Sequence, residues 1–194
     1  MEITNKRTAS DGRLCRPVPR GLKDPLALGF AWRLSVARCR LGLAAAHLGL
    51  AAGLHDTTVG ALEDGKSIPK LDTVEKIAAA LGVTPCWLAF GEQGAYEFKQ
   101  RRPRSPVPPE PPEPVAGGLP FLSLHSSVGE RLLKKREELG LSLRALAESA
   151  GVSFETIRKC EAGSAIPKVD TCERLAVALG VAPCWLAFGV GEAK

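Results

Sequence analysis

The chain has 194 residues, 45% of them hydrophobic and only 5% aromatic, which allows one ordinary domain or two small ones with a core resting on Leu, Ala, Ile and Val. Its net charge of +5 and pI near 9.0 suit an anionic partner without selecting one. No apolar run approaches the roughly 18 residues of a membrane span, and the basic N-terminus lacks the apolar stretch of a leader, so a soluble cytoplasmic protein is expected.

An internal repeat sets the architecture. Residues 68–73 (Ile-Pro-Lys-Leu-Asp-Thr) recur at 166–171 as Ile-Pro-Lys-Val-Asp-Thr, and residues 85–91 (Pro-Cys-Trp-Leu-Ala-Phe-Gly) recur identically at 183–189. The offset is 98 residues at both places and holds without a gap back to Arg33 and Arg131. About half of the aligned positions are identical. The chain therefore divides into a basic tail (1–26), a first unit (27–91), a proline-rich linker (92–124), a second unit (125–189) and a short tail (190–194). Each unit is near the lower size of an autonomous domain.

In chain order, the first tail holds six basic and three acidic residues and reads as disordered. In unit one, Trp32, Arg38 and Cys39 lie on a first helix, and a second helix near residues 44–52 carries Gly49 and has no capping side chain. Gly53 turns the chain into a third segment, His55-Asp-Thr-Thr-Val-Gly-Ala61. The linker, dense in proline from Pro103 to Pro114, is extended and semi-rigid.

Unit two reads more clearly. Residues 128–139 are amphipathic, with Val128, Leu132, Leu133 and Leu139 on one side, and Gly140 stops them. Ser142 caps a short helix with Leu143, Leu146 and Ala147 inward; Gly151 makes the turn; Ser153 caps a third helix with Ile157 and Cys160 inward. Asp170 and Glu173 have capping-box spacing before Leu175, Ala176 and Leu179. Pro183 opens a last helix burying Trp185, Leu186 and Phe188. Nothing alternates with period two, so the fold class is all-α: two tandem five-helix domains joined by the linker.

Two short helices joined by a tight Gly turn form a helix-turn-helix arrangement. The run from Leu146 to Ile157, then Glu161-Ala-Gly163, Pro167, Asp170-Thr171 and 175–181 (Leu-Ala-Val-Ala-Leu-Gly-Val) closely resembles the lambda-type repressor and Cro family, also called XRE. The resemblance covers both units. It implies double-stranded DNA as partner and transcriptional regulation, as a repressor, with a homodimer or an intramolecular pairing of the two units. An antitoxin-like protein-interaction module is the alternative. In this fold the third helix enters the major groove by its N-terminal end. That makes Ser153, Phe154, Glu155 and Lys159 the candidate base readers, with Lys159 suited to guanine, Glu155 to cytosine and Phe154 to a thymine methyl, and Arg158 beside them a DNA-binding candidate as a phosphate contact or else a solvated charge. Ser142, Arg144, Ser164 and Lys168 flank them as phosphate contacts. The resemblance also implies structural ion pairs, Arg136 with Glu161 and Arg38 with Glu63.

Unit one departs where DNA is read. Ala46, Gly60 and Ala61 stand where unit two has Arg144, Arg158 and Lys159, and Asp56 adds a negative charge. His55, Asp56, Thr57, Thr58, Lys66, Ser67 and Lys70 are its weaker candidates, so unit one is a degenerate copy.

The six cysteines (Cys15, Cys39, Cys86, Cys160, Cys172, Cys184) contain no Cys-x-x-Cys pair, and His47, His55 and His125 form no ligand cluster with them. Buried free thiols, no metal and no cofactor are expected. No nucleophile–base set or phosphate-cradling Gly loop appears, so no enzyme activity is expected.

Overall fold

A computed structural model describes residues 25–91 and 125–191 of the chain. Unit one consists of α1 (Pro25–Arg40), α2 (Ala45–Ala51), α3 (Asp56–Glu63), α4 (Leu71–Leu81) and α5 (Pro85–Phe90). Unit two repeats the order as α6 (His125–Glu138), α7 (Leu143–Ala150), α8 (Phe154–Glu161), α9 (Val169–Leu179) and α10 (Pro183–Phe188). The fold is all-α, with two five-helix domains in tandem and no strand among the described residues. The expected basic tail up to residue 24 and the proline-rich linker lie outside the described residues. No helix among the described residues is long and apolar enough to cross a membrane.

Each helix sends an aliphatic side chain to its unit's centre. Leu34, Leu48, Val59, Ile77 and Leu88 from α1 to α5 are fully buried, as are Leu132, Leu146, Ile157, Leu175 and Leu186 from α6 to α10. Burial of such a side chain contributes about 1.5–3 kcal/mol. Two expectations fail at the margin of this core. Leu139 is exposed, because α6 ends at Glu138 and the chain turns away there. Trp185 is only half-buried, although Leu186 and Phe188 are inside.

The α1–α3 and α6–α8 contacts are locked by arginine. Arg38 Nε and Nη2 donate to the Glu63 carboxylate at 2.7 and 3.0 Å, and Nη1 donates to the Leu43 carbonyl at 2.6 Å. Arg136 makes the same three bonds, to Glu161 at 2.7 and 3.0 Å and to the Leu141 carbonyl at 2.9 Å. The hydrogen bonds to Glu161 raise the Arg136 pKa above its ordinary value. Helix α6 also lies so close to α8 at Gly129 that a Cβ there would overlap the Cys160 carbonyl.

A second arginine in each unit satisfies the free carbonyls that end the last helix. Arg33 donates to Leu88 O (2.9 Å) and Ala89 O (2.7 Å), and Arg131 donates to Leu186 O and Ala187 O, both at 2.9 Å. Burial lowers the Arg33 pKa to about 10, with Glu173 of unit two acting the other way. Burial likewise lowers that of Arg131, partly offset by Glu75 of unit one among its acidic neighbours.

The two units pair about an approximate twofold axis. Lys70 sits opposite Lys168 in an antiparallel bridge. Leu71 N donates to Pro167 O at 3.2 Å, and Val169 N donates to Pro69 O at 3.1 Å. Helix α5 packs on α10, with the Phe90 and Phe188 rings 6.3 Å apart between centroids. The expected Asp170–Glu173 capping box is not made, because Asp170 lies inside the helix and not at its cap. Helix α9 starts at Val169 after Lys168, which lends no side-chain cap, and the Val169 N–H is taken by the other unit. Asp170 instead accepts from Arg174 at 3.1 Å.

Candidate nucleic-acid interface

Helices α7 and α8 are held in a fixed relation by their caps. Ser142 Oγ accepts from Ala145 N at 3.1 Å, and Ser153 Oγ accepts from Thr156 N at 3.2 Å. Each satisfies one orphan N–H of a helix start. Between them Gly151 takes φ 61°, left-handed backbone that a side chain would strain. Leu146 and Ile157 pin the two helices to the core from below.

The opposite face of α8 is open. Ser153, Phe154, Glu155, Arg158 and Lys159 are all exposed, and Phe154, 41% exposed, points away from the core. Ser142, Arg144, Ser164 and Lys168 are exposed beside them. Two of these groups are already engaged. Arg158 donates twice to Glu155, at 2.9 and 2.8 Å, and Lys159 stands 3.6 Å from the same carboxylate. The Arg158 hydrogen bonds, helped by both cations, hold Glu155 down at about 2. A base offered to Glu155 must therefore compete with Arg158, whereas the Lys159 ammonium has only a loose contact to give up. Ser164 Oγ donates to Lys159 O at 3.1 Å, closing the end of α8. Lys168 lies at the junction of the two units, facing Lys70.

Arg174 was not singled out by sequence reasoning. It donates to Gly151 O at 3.0 Å and to Asp170 at 3.1 Å, tying α9 to the turn between α7 and α8. The Asp170–Arg174 spacing of four on one helix was the available signal.

Unit one keeps the scaffold and not the surface. Helix α2 has no side-chain cap at Ala44. At the start of α3, His55 Nδ1 lies 2.7 Å from the Asp56 carboxylate and 3.4 Å from Thr57 N. Nδ1 can cap Thr57 N only as an acceptor and meet Asp56 only as a donor, so the two contacts are alternatives set by the tautomer. Asp56 and Thr57 are exposed and Thr58 is half-buried. Lys66 is tied to Asp64 at 2.8 Å, while Ser67 and Lys70 remain exposed. Gly60 and Ala61 leave α3 without the cations of α8. Unit one also exposes Leu50 (68%) and Leu41 (46%).

Two short helices joined by a glycine turn, the second presenting polar side chains outward, define a helix-turn-helix protein, here in two copies. The helix-turn-helix family matches the chain twice, over residues 34–88 and 132–186, which is more than half of it. The chain belongs to that family, of the XRE type. Among solved structures, it is similar to the SinR protein/SinI protein complex, at 32% identity, covering 30% of this chain and 58% of that one with a TM-score of 0.30. It is also similar to a hypothetical transcription factor, NHTF, from Neisseria, at 32% identity over 40% of this chain and 91% of that one, TM-score 0.35. No curated protein matches the chain.

Proposed function

We propose that the chain is a sequence-specific DNA-binding transcriptional regulator, a repressor, whose two units (27–91 and 125–189) act together on one duplex, with α8 as the main reader of the major groove. The supporting observation is the difference between α8 and α3 on a common scaffold. Helix α8 offers Phe154, Glu155, Arg158 and Lys159 outward from a capped N-terminus. Helix α3 offers His55, Asp56, Thr57 and Thr58 and no cation. The formal charges of the two units are nearly equal, so the difference lies in placement. Lys66, Ser67 and Lys70 keep unit one on the phosphates, and Ser142, Arg144, Ser164 and Lys168 position unit two. The pairing about Lys70 and Lys168 makes the chain its own dimer, with one specific and one weak half-site. A cytoplasmic, non-enzymatic regulator without a cofactor fits this reading.

The test is selection of bound sequences from random duplexes by the full chain. Lys159→Ala and Glu155→Ala should then weaken binding to the selected operator by about 1–3 kcal/mol each if they pair with bases, and weaken random-DNA binding less. Wild-type binding by both variants sinks the reader assignment. A second reading, an antitoxin-like protein-interaction module, is favoured by exposed Leu41 and Leu50 on unit one. Salt separates the two, since phosphate contacts release counterions and apolar docking does not.

A further inference from the structure

The twofold pairing brings together residues 98 apart in sequence. Lys70 meets Lys168, and Phe90 meets Phe188. The charges are reciprocal as well: Arg33 is near Glu173, and Arg131 near Glu75. A residue that meets its own counterpart lies at the axis. Cys86 and Cys184 are such a pair. Each follows the first proline of its helix, α5 or α10, and the two thiols hydrogen-bond to each other. Both are half-buried and unoxidised. Sequence spacing hid the pair, because it is made by the symmetry and not by a local motif.

We propose that Cys86 and Cys184 are a redox site: oxidation by a hydroperoxide joins them in a reversible disulfide that locks the two units in their paired arrangement. Cys86 and Cys184 stand one helical turn before Phe90 and Phe188, whose rings meet 6.3 Å apart where α5 packs on α10, so the bond joins two helices that are already in contact. Local charge chooses the attacker. The hydrogen bond from Cys86 and the positive charge of Arg33 lower the Cys184 pKa, while the same hydrogen bond and burial raise that of Cys86. The thiolate is the nucleophile. Cys184 thiolate attacks the peroxide, the O–O bond breaks, and the alkoxide leaves as an alcohol after taking a proton, giving a sulfenic acid. The Cys86 sulfur then attacks the Cys184 sulfur. The S–O bond breaks, the Cys86 proton goes to the departing hydroxyl, and water leaves. Two thiols are oxidised by two electrons, and one hydroperoxide is reduced to alcohol and water. A reducing thiol reverses the bond by exchange.

The two fully buried cysteines are poor competitors. Cys160 and Cys172 are buried, and burial raises both pKa values, that of Cys160 to about 11. The disulfide makes the pairing independent of the linker. Its effect on DNA rests on the function proposed above, but its formation does not.

The experiment treats the full reduced chain with hydrogen peroxide under non-denaturing conditions. The expected result is loss of two thiols per chain, a faster-running monomer on a non-reducing gel, and a peptide linking Cys86 to Cys184, all reversed by dithiothreitol. Cys86→Ser and Cys184→Ser should each abolish the linked form, and Cys39→Ser should retain it; circular dichroism checks that each variant is folded. The wild-type peptide map alone decides the matter if a variant fails to fold. A thiol count unchanged by peroxide that oxidises a free small thiol overturns the proposal, and so does a link through any other cysteine. A Cys86–Cys184 link with unchanged DNA affinity supports the redox site and counts only against the DNA reading.

Discussion

The deepest ion pair gives the sharpest test of how the fold is held. The Arg38 and Glu63 side chains are 4% and 2% exposed, against 13% and 9% for Arg136 and Glu161. Arg38→Ala removes three hydrogen bonds and leaves the Glu63 carboxylate buried without its cation. Breaking a buried pair in this way costs about 3–5 kcal/mol. A unit of about 65 residues is stable by only ~3–10 kcal/mol in total, so the loss takes a large share. At ~4–8 °C per kcal/mol for a domain of this size, the midpoint should fall by more than about 10 °C. Arg136→Ala should cost less, ~2–3 kcal/mol, because water reaches that pair. The assay is thermal and urea unfolding of the full chain, with hydrogen exchange read by mass spectrometry to place the loss in residues 25–91. The double variant Arg38→Met/Glu63→Leu should recover most of the stability, since no charge is then buried alone. A midpoint within about 2 °C of wild type for Arg38→Ala, or no recovery in the double variant, refutes this account of the pair.

The close approach of α6 to α8 predicts that Gly129→Ala costs about 1–3 kcal/mol in the same unfolding assay, because the obstacle is the Cys160 backbone and cannot rotate away. Unit one carries Ala31 at the equivalent place, so Ala31→Gly should be the milder change. By NMR titration, the Glu155 carboxylate should keep its charge as pH falls until about 2. Its folded pKa is depressed, so its pairing persists above that point and is lost as pH drops through it; Arg158→Ala should move the midpoint upward. A thiol reagent near pH 8 should leave Cys160 and Cys172 unmodified in the folded chain and modify them in denaturant, since burial raises both pKa values.

The two helical units were legible in the sequence because their signals are local. Ser142, Ser153, Gly151 and Pro183 act on their own turns, and Leu146, Ile157 and Leu175 follow helical period. The exposure of the outer face of α8 was legible for the same reason, as it follows from the inward Ile157 and Cys160. Pairing of the two units was among the arrangements the family resemblance implied, but the residues that make it were not legible. Lys70–Lys168, Phe90–Phe188 and Cys86–Cys184 are recognisable only when α5 has been laid on α10. Asp170 misled because its capping spacing is real, but α9 already begins at Val169 and Asp170 is taken by Arg174 one turn along the same helix. The Arg33 and Arg131 bonds to the last carbonyls span the length of each unit and leave no mark in the intervening sequence. The engagement of Glu155 by Arg158 depends on which rotamers meet, although their spacing of three permits it.

The central claim is that DNA is read chiefly by α8, with unit one holding on through phosphates. The most direct measurement is a titration of the full chain against its selected operator and random DNA at several salt concentrations, comparing Arg158→Ala/Lys159→Ala with Lys66→Ala/Lys70→Ala. The account predicts that the unit-two variant loses about 10-fold or more on the operator and much less on random DNA. The unit-one variant should lose similar, modest affinity on both and flatten the logarithmic salt slope by about one for each phosphate contact removed. Equal loss of operator preference in the two variants, or none in the first, contradicts it.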